Sequence, residues 1–167
     1  MKFTVAILVN NQFGVLNRVT SMFRRRQFNI TSLTVSETES EEFSRITVQS
    51  EGDEVKKQQL INQLYKLPDI VSVAELSNEE TVNRELLLIK MHNSPETRDD
   101  VRSAIDAFEG KIVDYTKESQ TIQMVGDSRK IDNFITLMKE FGIMEICRTG
   151  VVSLQRGAST IRKVTNF

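Results

Sequence analysis

Apolar and polar positions along this chain fall into short blocks with two periods, one near two residues and one near 3.6. Phe3-Thr4-Val5-Ala6-Ile7-Leu8-Val9 is a run of β-favouring residues and predicts a strand well buried by its neighbours. From Val15 the period lengthens, with Val15, Leu16, Val19, Met22 and Phe23 on one helical face and Arg18, Arg24 and Arg25 elsewhere on the wheel. The triplet Arg24-Arg25-Arg26 closes that helix, where its charge complements the C-terminal end of the dipole. Asn29 to Val35 predicts a second strand, Ser36 to Glu42 a polar hairpin tip, and Phe43 to Gln49 a third strand. In that third strand Ile46 and Val48 alternate with Arg45, Thr47 and Gln49, which puts the polar set on an outward face. Asp53 is placed to cap a helix carrying Val55, Leu60, Leu64 and Leu67, which Pro68 stops. Ile70 to Leu76 completes a βαββαβ order.

Ser77-Asn78-Glu79-Glu80-Thr81 reads as a linker, after which the order starts again. Glu85 to Met91 is a strand, Ser94-Pro95 an N-cap with proline at the first helical position, and Val101, Ala104, Ile105 and Phe108 an apolar stripe that Gly110 ends. Lys111 to Tyr115 and Thr121 to Val125 form a hairpin. Asp127 or Ser128 caps a helix with Ile131, Phe134, Ile135 and Met138 inward, and Ile143 to Leu154 is a last strand broken at Gly150. The pattern predicts an α+β protein of two tandem ferredoxin-like βαββαβ sandwiches, at 1–77 and 82–157, with a basic, frayed tail at 158–167. Each sheet has a second face and edges that need covering, which predicts at least a dimer.

Composition narrows the classes. A net charge of -1 gives no electrostatic case for nucleic acid or an acidic membrane as the main partner. Some RNA-binding modules share the βαββαβ order, but they stack bases on sheet aromatics, and this chain has no Trp and two Tyr. A single cysteine, Cys147, fits a reducing cytosolic home and is expected to be buried and inert. No apolar run approaches the ~18 residues that span a bilayer. The only histidine, His92, stands apart from any Cys or carboxylate cluster, and no metal-ligand spacing, phosphate loop or nucleophile elbow is present. No catalytic residue and no metal ligand is assigned.

The candidate chemistry lies in Asn10-Asn11-Gln12-Phe13-Gly14-Val15-Leu16 and in Phe28-Asn29-Ile30. The first stretch opens the first helix and the second opens the next strand, and both are expected at one end of the same unit. Gly14 permits positive φ and close approach of a ligand to the backbone, and N–H groups around Gly14, Val15 and Leu16 would face a carboxylate. The carboxamides of Asn11 and Asn29 can accept from an ammonium, while Phe13, Val15 and Ile30 could line an apolar floor. An α-amino acid carries both charges. Asn and Gly are equally common as plain turn residues, so a structural role for this turn stays open. The matching turn of the second unit, His92-Asn93-Ser94-Pro95, has no glycine.

Asn11-Gln12-Phe13-Gly14-Val15-Leu16 resembles the ligand turn of the ACT domain family. Phe28-Asn29-Ile30-Thr31-Ser32-Leu33-Thr34-Val35 looks like the small, regulatory subunits of acetolactate synthase (acetohydroxyacid synthase). So do Ser44-Arg45-Ile46-Thr47, Gln63-Leu64-Tyr65-Lys66-Leu67 and Arg148-Thr149-Gly150-Val151-Val152, and the likeness covers roughly residues 1 to 157. It implies an N-terminal ACT domain, a C-terminal ferredoxin-like domain and no catalysis by this chain. It also implies a partner, the large subunit carrying thiamine diphosphate, Mg²⁺ and FAD, which the chain activates and makes inhibitable by valine. The effector would sit between the ACT domains of a homodimer, with Asn11, Gly14, Val15, Leu16, Asn29 and Ile30 at the family's binding positions. Two departures stand out. The family usually has Gly where Gln27 stands, which predicts a strained or differently capped helix exit, and the tail after Gly157 has no match. A freestanding ACT-type sensor acting on another partner is the alternative.

Overall fold

A computed structural model describes residues 1–76 and 79–162. The chain forms two compact units, one of Met1–Val82 with the segment from Val151 onward, the other of Asn83–Gly150. This division differs from the expected one at its C-terminal end. Residues 151–162 group with the first unit, because Ser153 and Ile161 pack on its sheet.

In the first unit β1 (Lys2–Asn10), α1 (Val15–Arg25), β2 (Ile30–Glu37), β3 (Phe43–Glu51), α2 (Glu54–Leu64) and β4 (Ile70–Leu76) follow in order. The antiparallel sheet runs β2-β3-β1-β4. β1 is central, which explains its unbroken apolar run: it is buried on both faces. Val5, Ile7 and Val9 meet Val19, Met22 and Phe23 of α1 and Leu60 and Leu64 of α2 on one side. Asp53 caps α2 as expected, its carboxylate accepting from the Lys56 N–H at 2.8 Å.

The other face of this sheet is covered by the chain itself. After a break at Gly150 (φ 81), β9 (Val152–Gln155) pairs with β5 (Thr81–His92), whose first residues Thr81 and Val82 belong to this unit. The segment then crosses the sheet. Arg45 Nη2 donates to the Ser153 carbonyl at 2.7 Å, and the buried Ser72 hydroxyl donates to the Ile161 carbonyl at 2.8 Å. Ile161 closes a small core with Ala6, Leu8, Ala74 and Leu76. The outward polar face expected of β3 is therefore partly internal, and in the tail expected to be frayed Ile161 is buried and Arg162 lies over the Phe43 ring at 5.3 Å, while residues 158–160 are exposed. The remainder of the tail, 163–167, lies outside the described residues, as do Ser77 and Asn78 of the expected linker.

The second unit holds most of β5, then α3 (Arg98–Ala107), β6 (Lys111–Tyr115), β7 (Ser119–Gly126), α4 (Ser128–Met138), a 3₁₀ turn at Lys139–Phe141 and β8 (Ile143–Arg148). Its strands run β6-β7-β5-β8. Leu87, Ile89, Ile122 and Met124 pack on Val101, Ile105, Ile131 and Phe134. Asp127 caps α4 through the Lys130 N–H at 2.8 Å. Three expectations change here. Ser94 does not cap α3, which begins after Thr97; the Ser94 carbonyl instead accepts from Thr97 and Arg98 in a preceding turn. Cys147 is exposed, because β8 is an edge strand and its Leu88-facing side is uncovered. The left-handed residue ending α3 is Glu109 (φ 58), one before Gly110.

Candidate functional site

The strand–helix turn has the backbone its glycine predicts. Gly14 is left-handed at φ 80 and ψ -1, and α1 starts there with no side-chain cap and no acidic residue in its first turn. No side-chain cap and no acidic residue of the first turn stands against the opening N–H groups of α1, of which that of Val15 donates to the Gln12 carbonyl at 3.4 Å. Phe13 is fully exposed and Leu16 is 41% exposed, an apolar pair around a bare corner. Val15 differs from expectation: it is buried among Val19, Phe23 and the β1 residues, so only its backbone can face a ligand.

Asn11 is held rather than free. Its Nδ2 donates to Glu37 Oε1 at 3.2 Å and to the Glu41 carbonyl at 3.0 Å. Its Oδ1 accepts from Ser44 at 3.1 Å, which leaves one lone pair for an outside donor. The carboxamide is therefore oriented before any ligand arrives. The charged pair next to it was not foreseen. Arg18 Nε and Nη2 donate to Asp69 Oδ2 and Oδ1 at 2.6 and 3.0 Å, a side-on fork that raises the guanidinium above its ordinary pKa, chiefly through that hydrogen bond. The sequence signal was an arginine four residues after Gly14, one helical turn on.

Asn29 and Ile30 are not at this corner. Ile30 pairs with Ser50 and Ser50 with Phe3, whereas Asn10 pairs with Phe43. The Asn29 carbonyl accepts from the Ser50 hydroxyl at 2.6 Å, which fixes it at the start of β1. Seven residue steps along β1 separate the two ends, about 23 Å at the usual strand rise. The expectation that both segments share one end fails for a topological reason. In a strand–helix–strand unit the strands run parallel, so the helix start and the next strand's start lie at opposite ends. A single chain cannot bring Asn29 to Gly14.

The sheet edges differ in what they offer. Along β4, Tyr65 Oη accepts from Val73 N at 3.1 Å and donates to Val73 O at 3.2 Å, blocking that edge with a side chain. β2 is the other edge strand, and its Val35 is 40% exposed. Its far end meets the corner, since Glu37 touches Asn11.

The family model for the AHAS small subunit-like ACT domain matches residues 5–72, and that for the small subunit of acetolactate synthase matches 84–157. The chain belongs to the acetolactate synthase small-subunit family. The probable acetolactate synthase small subunit of Archaeoglobus fulgidus is 46% identical over 157 residues, covering 94% of this chain and 98% of its own. The acetolactate synthase small subunit of Haemophilus influenzae is 40% identical over 162 residues, 96% and 99% of the two chains. The crystal structure of the Thermotoga maritima acetolactate synthase small subunit superposes with a TM-score of 0.86 at 35% identity, over 95% of this chain and 99% of that one. Two tandem ferredoxin-like units, the first an ACT domain, are thus the fold of this small-subunit family member.

The second-unit motif of the family is structural. Arg148 Nη2 pairs with the buried Glu85 at 2.6 Å and Nη1 with Asp132 at 2.7 Å. Burial would lower the Arg148 pKa, but the bonds to Glu85 and Asp132 raise it overall. Thr149 then closes on Leu86 in both directions, its N–H to the carbonyl and its hydroxyl from the N–H, each at 3.1 Å. His92 is exposed, and among the described residues no three His, Cys, Asp or Glu side chains gather to hold a metal. No helix among them is long and apolar enough to cross a membrane.

Proposed function

We propose that this chain is the non-catalytic regulatory partner of an acetolactate synthase large subunit, raising its activity and conferring feedback inhibition by valine in the cytoplasm. Thiamine diphosphate, Mg²⁺ and FAD belong, in this reading, to the large subunit. Family membership supports the partnership. One observation supports the effector site: the bare corner at Gly14 lies beside an open edge strand whose other end carries Asn29.

Antiparallel pairing of β2 with the β2 of a second copy covers that edge. Centred on the strand, it sets Ile30 of one copy opposite Glu37 of the other, and so brings Asn29 of the partner subunit to the corner formed by Asn11, Gly14, Val15 and Leu16. Two such sites form per dimer, related by the two-fold axis. The effector's carboxylate meets the α1 N–H groups, its ammonium meets the Asn29 and Asn11 carbonyls, and its aliphatic tail meets Leu16, Phe13 and the partner's Ile30.

Regulation then works by population shift. Valine bridging two copies favours one dimer geometry, by no more than its differential affinity for the geometries available. The test is Gly14→Asp. An added Cβ would lie 3.1 Å from Arg18 Nη1 in a left-handed backbone, with a negative charge where the effector's carboxylate sits. Valine inhibition of the reconstituted enzyme disappears while activation of the large subunit is retained. Loss of both together contradicts separate roles, and failure of the wild type to activate a purified large subunit leaves only a freestanding sensor.

A further inference from the structure

We infer that Arg18 is the charged anchor of the effector's carboxylate, so that the site selects amino acids with a free α-carboxylate over their neutral amides. The inference rests on the valine site proposed above and adds a residue that the turn sequence alone does not include.

Three observations converge on it. First, the Asp69 fork occupies Nε and Nη2 and leaves Nη1 outside that pair. Second, Nη1 stands 3.1 Å from where a Cβ on Gly14 would be, so the unpaired end of the guanidinium lies over the bare glycine. Third, the side chain is 44% exposed while Asp69 is 11% exposed, so the pair is anchored on the inner side and open on the outer one. A guanidinium has five N–H donors in a planar fork, and a side-on carboxylate leaves its end-on face available to a second one. Asp69 thus fixes the plane in advance, which lowers the ordering cost of gripping a ligand.

The nearby charges fit. α1 has no acidic residue in its first turn to compete for the guanidinium, and the Glu37 carboxylate is engaged by the Asn11 Nδ2 at 3.2 Å. The net charge of Arg18 with Asp69 is zero. Selection therefore comes from oriented, charge-assisted donors acting together with the helix N–H groups. A lysine would supply charge but could not hold Asp69 bidentately and reach the corner at once.

The experiment is calorimetric titration of the full-length wild type, Arg18→Gln and Arg18→Lys with L-valine and with L-valinamide. The wild type binds valine at least about tenfold more tightly than the amide, the weight of a charge-assisted bond. In Arg18→Gln that preference collapses toward unity, and in Arg18→Lys it falls to an intermediate value. A role confined to tying α1 to Asp69 would change both affinities together and leave their ratio alone. An unchanged ratio in Arg18→Gln overturns the inference while leaving the valine site standing. Should Arg18→Gln lose its far-ultraviolet dichroism, Arg18→Lys decides by the same ratio. Absence of valine binding by the wild type overturns the proposed function itself and this inference with it.

Discussion

Among the described residues, two carry left-handed backbone without being glycine, and both end helices. Gln27 (φ 58) follows α1, where Phe28 N donates to Phe23 O at 3.0 Å and Gln27 N to Arg24 O at 3.2 Å. Glu109 (φ 58) repeats the arrangement after α3, with Gly110 N on Ile105 O at 2.8 Å. Both are Schellman endings, in which glycine is the usual occupant because a Cβ clashes in this conformation. Gln27→Gly should therefore stabilise the fold by about 0.5–1 kcal/mol, the left-handed strain less the added freedom of the unfolded glycine, read as a higher urea midpoint at unchanged slope. A lowered midpoint would mean the strain is absent. The departure at Gln27 was readable from sequence, because the resemblance to the family leads one to expect glycine there. Glu109 was not, because the neighbouring Gly110 drew the expectation; that glycine is needed for room, its Cβ position lying 3.2 Å from Ile105 and Met124 atoms. At the binding corner, Asn29→His should weaken valine affinity in calorimetry, and an unaltered affinity would remove Asn29 from the site.

At the scale of elements, local patterns were faithful wherever one face was apolar. β4 has the expected bounds, and the caps at Asp53 and Asp127 are in place. What sequence did not reveal was long-range: that residues 151–162 return to cover the first sheet, or that Arg148 reaches back to Glu85. Such contacts follow from topology, and a polar, basic tail carries little periodicity to announce them. The return segment has a measurable weight. Ile161→Asp places a charge among Ala6, Leu8, Ala74 and Leu76 and should destabilise the first unit by about 2–3 kcal/mol, read as a lower thermal midpoint. Glu85→Ala leaves Arg148, which is 34% exposed, with Asp132 as its remaining carboxylate, and should cost about 1–2 kcal/mol, less than breaking a fully buried pair. Either variant melting like wild type would show that these contacts do not hold the fold.

For the whole molecule, the two ends of the first unit decide how the effector site is read. Single-chain reasoning grouped Asn29 with Gly14, because the residue types suit one zwitterion; strand direction separates them by the length of β1. The same residues belong together only across two copies, and β2 is the edge on which that can happen, since Tyr65 occupies the edge of β4. Val35→Lys puts a charge on the open edge strand and should shift the sedimentation mass toward the 19.1 kDa of one chain, with valine affinity falling in parallel. The most direct test mixes two impaired variants. Gly14→Asp alone binds no valine and Asn29→His alone binds it weakly, but a heterodimer of the two joins an intact Gly14 corner to an intact Asn29. Random mixing should then restore roughly a quarter of the wild-type valine stoichiometry in calorimetry, since half the dimers are mixed and each has one sound site of two. No recovery on mixing, in dimers shown to exchange, would contradict a site shared between two copies.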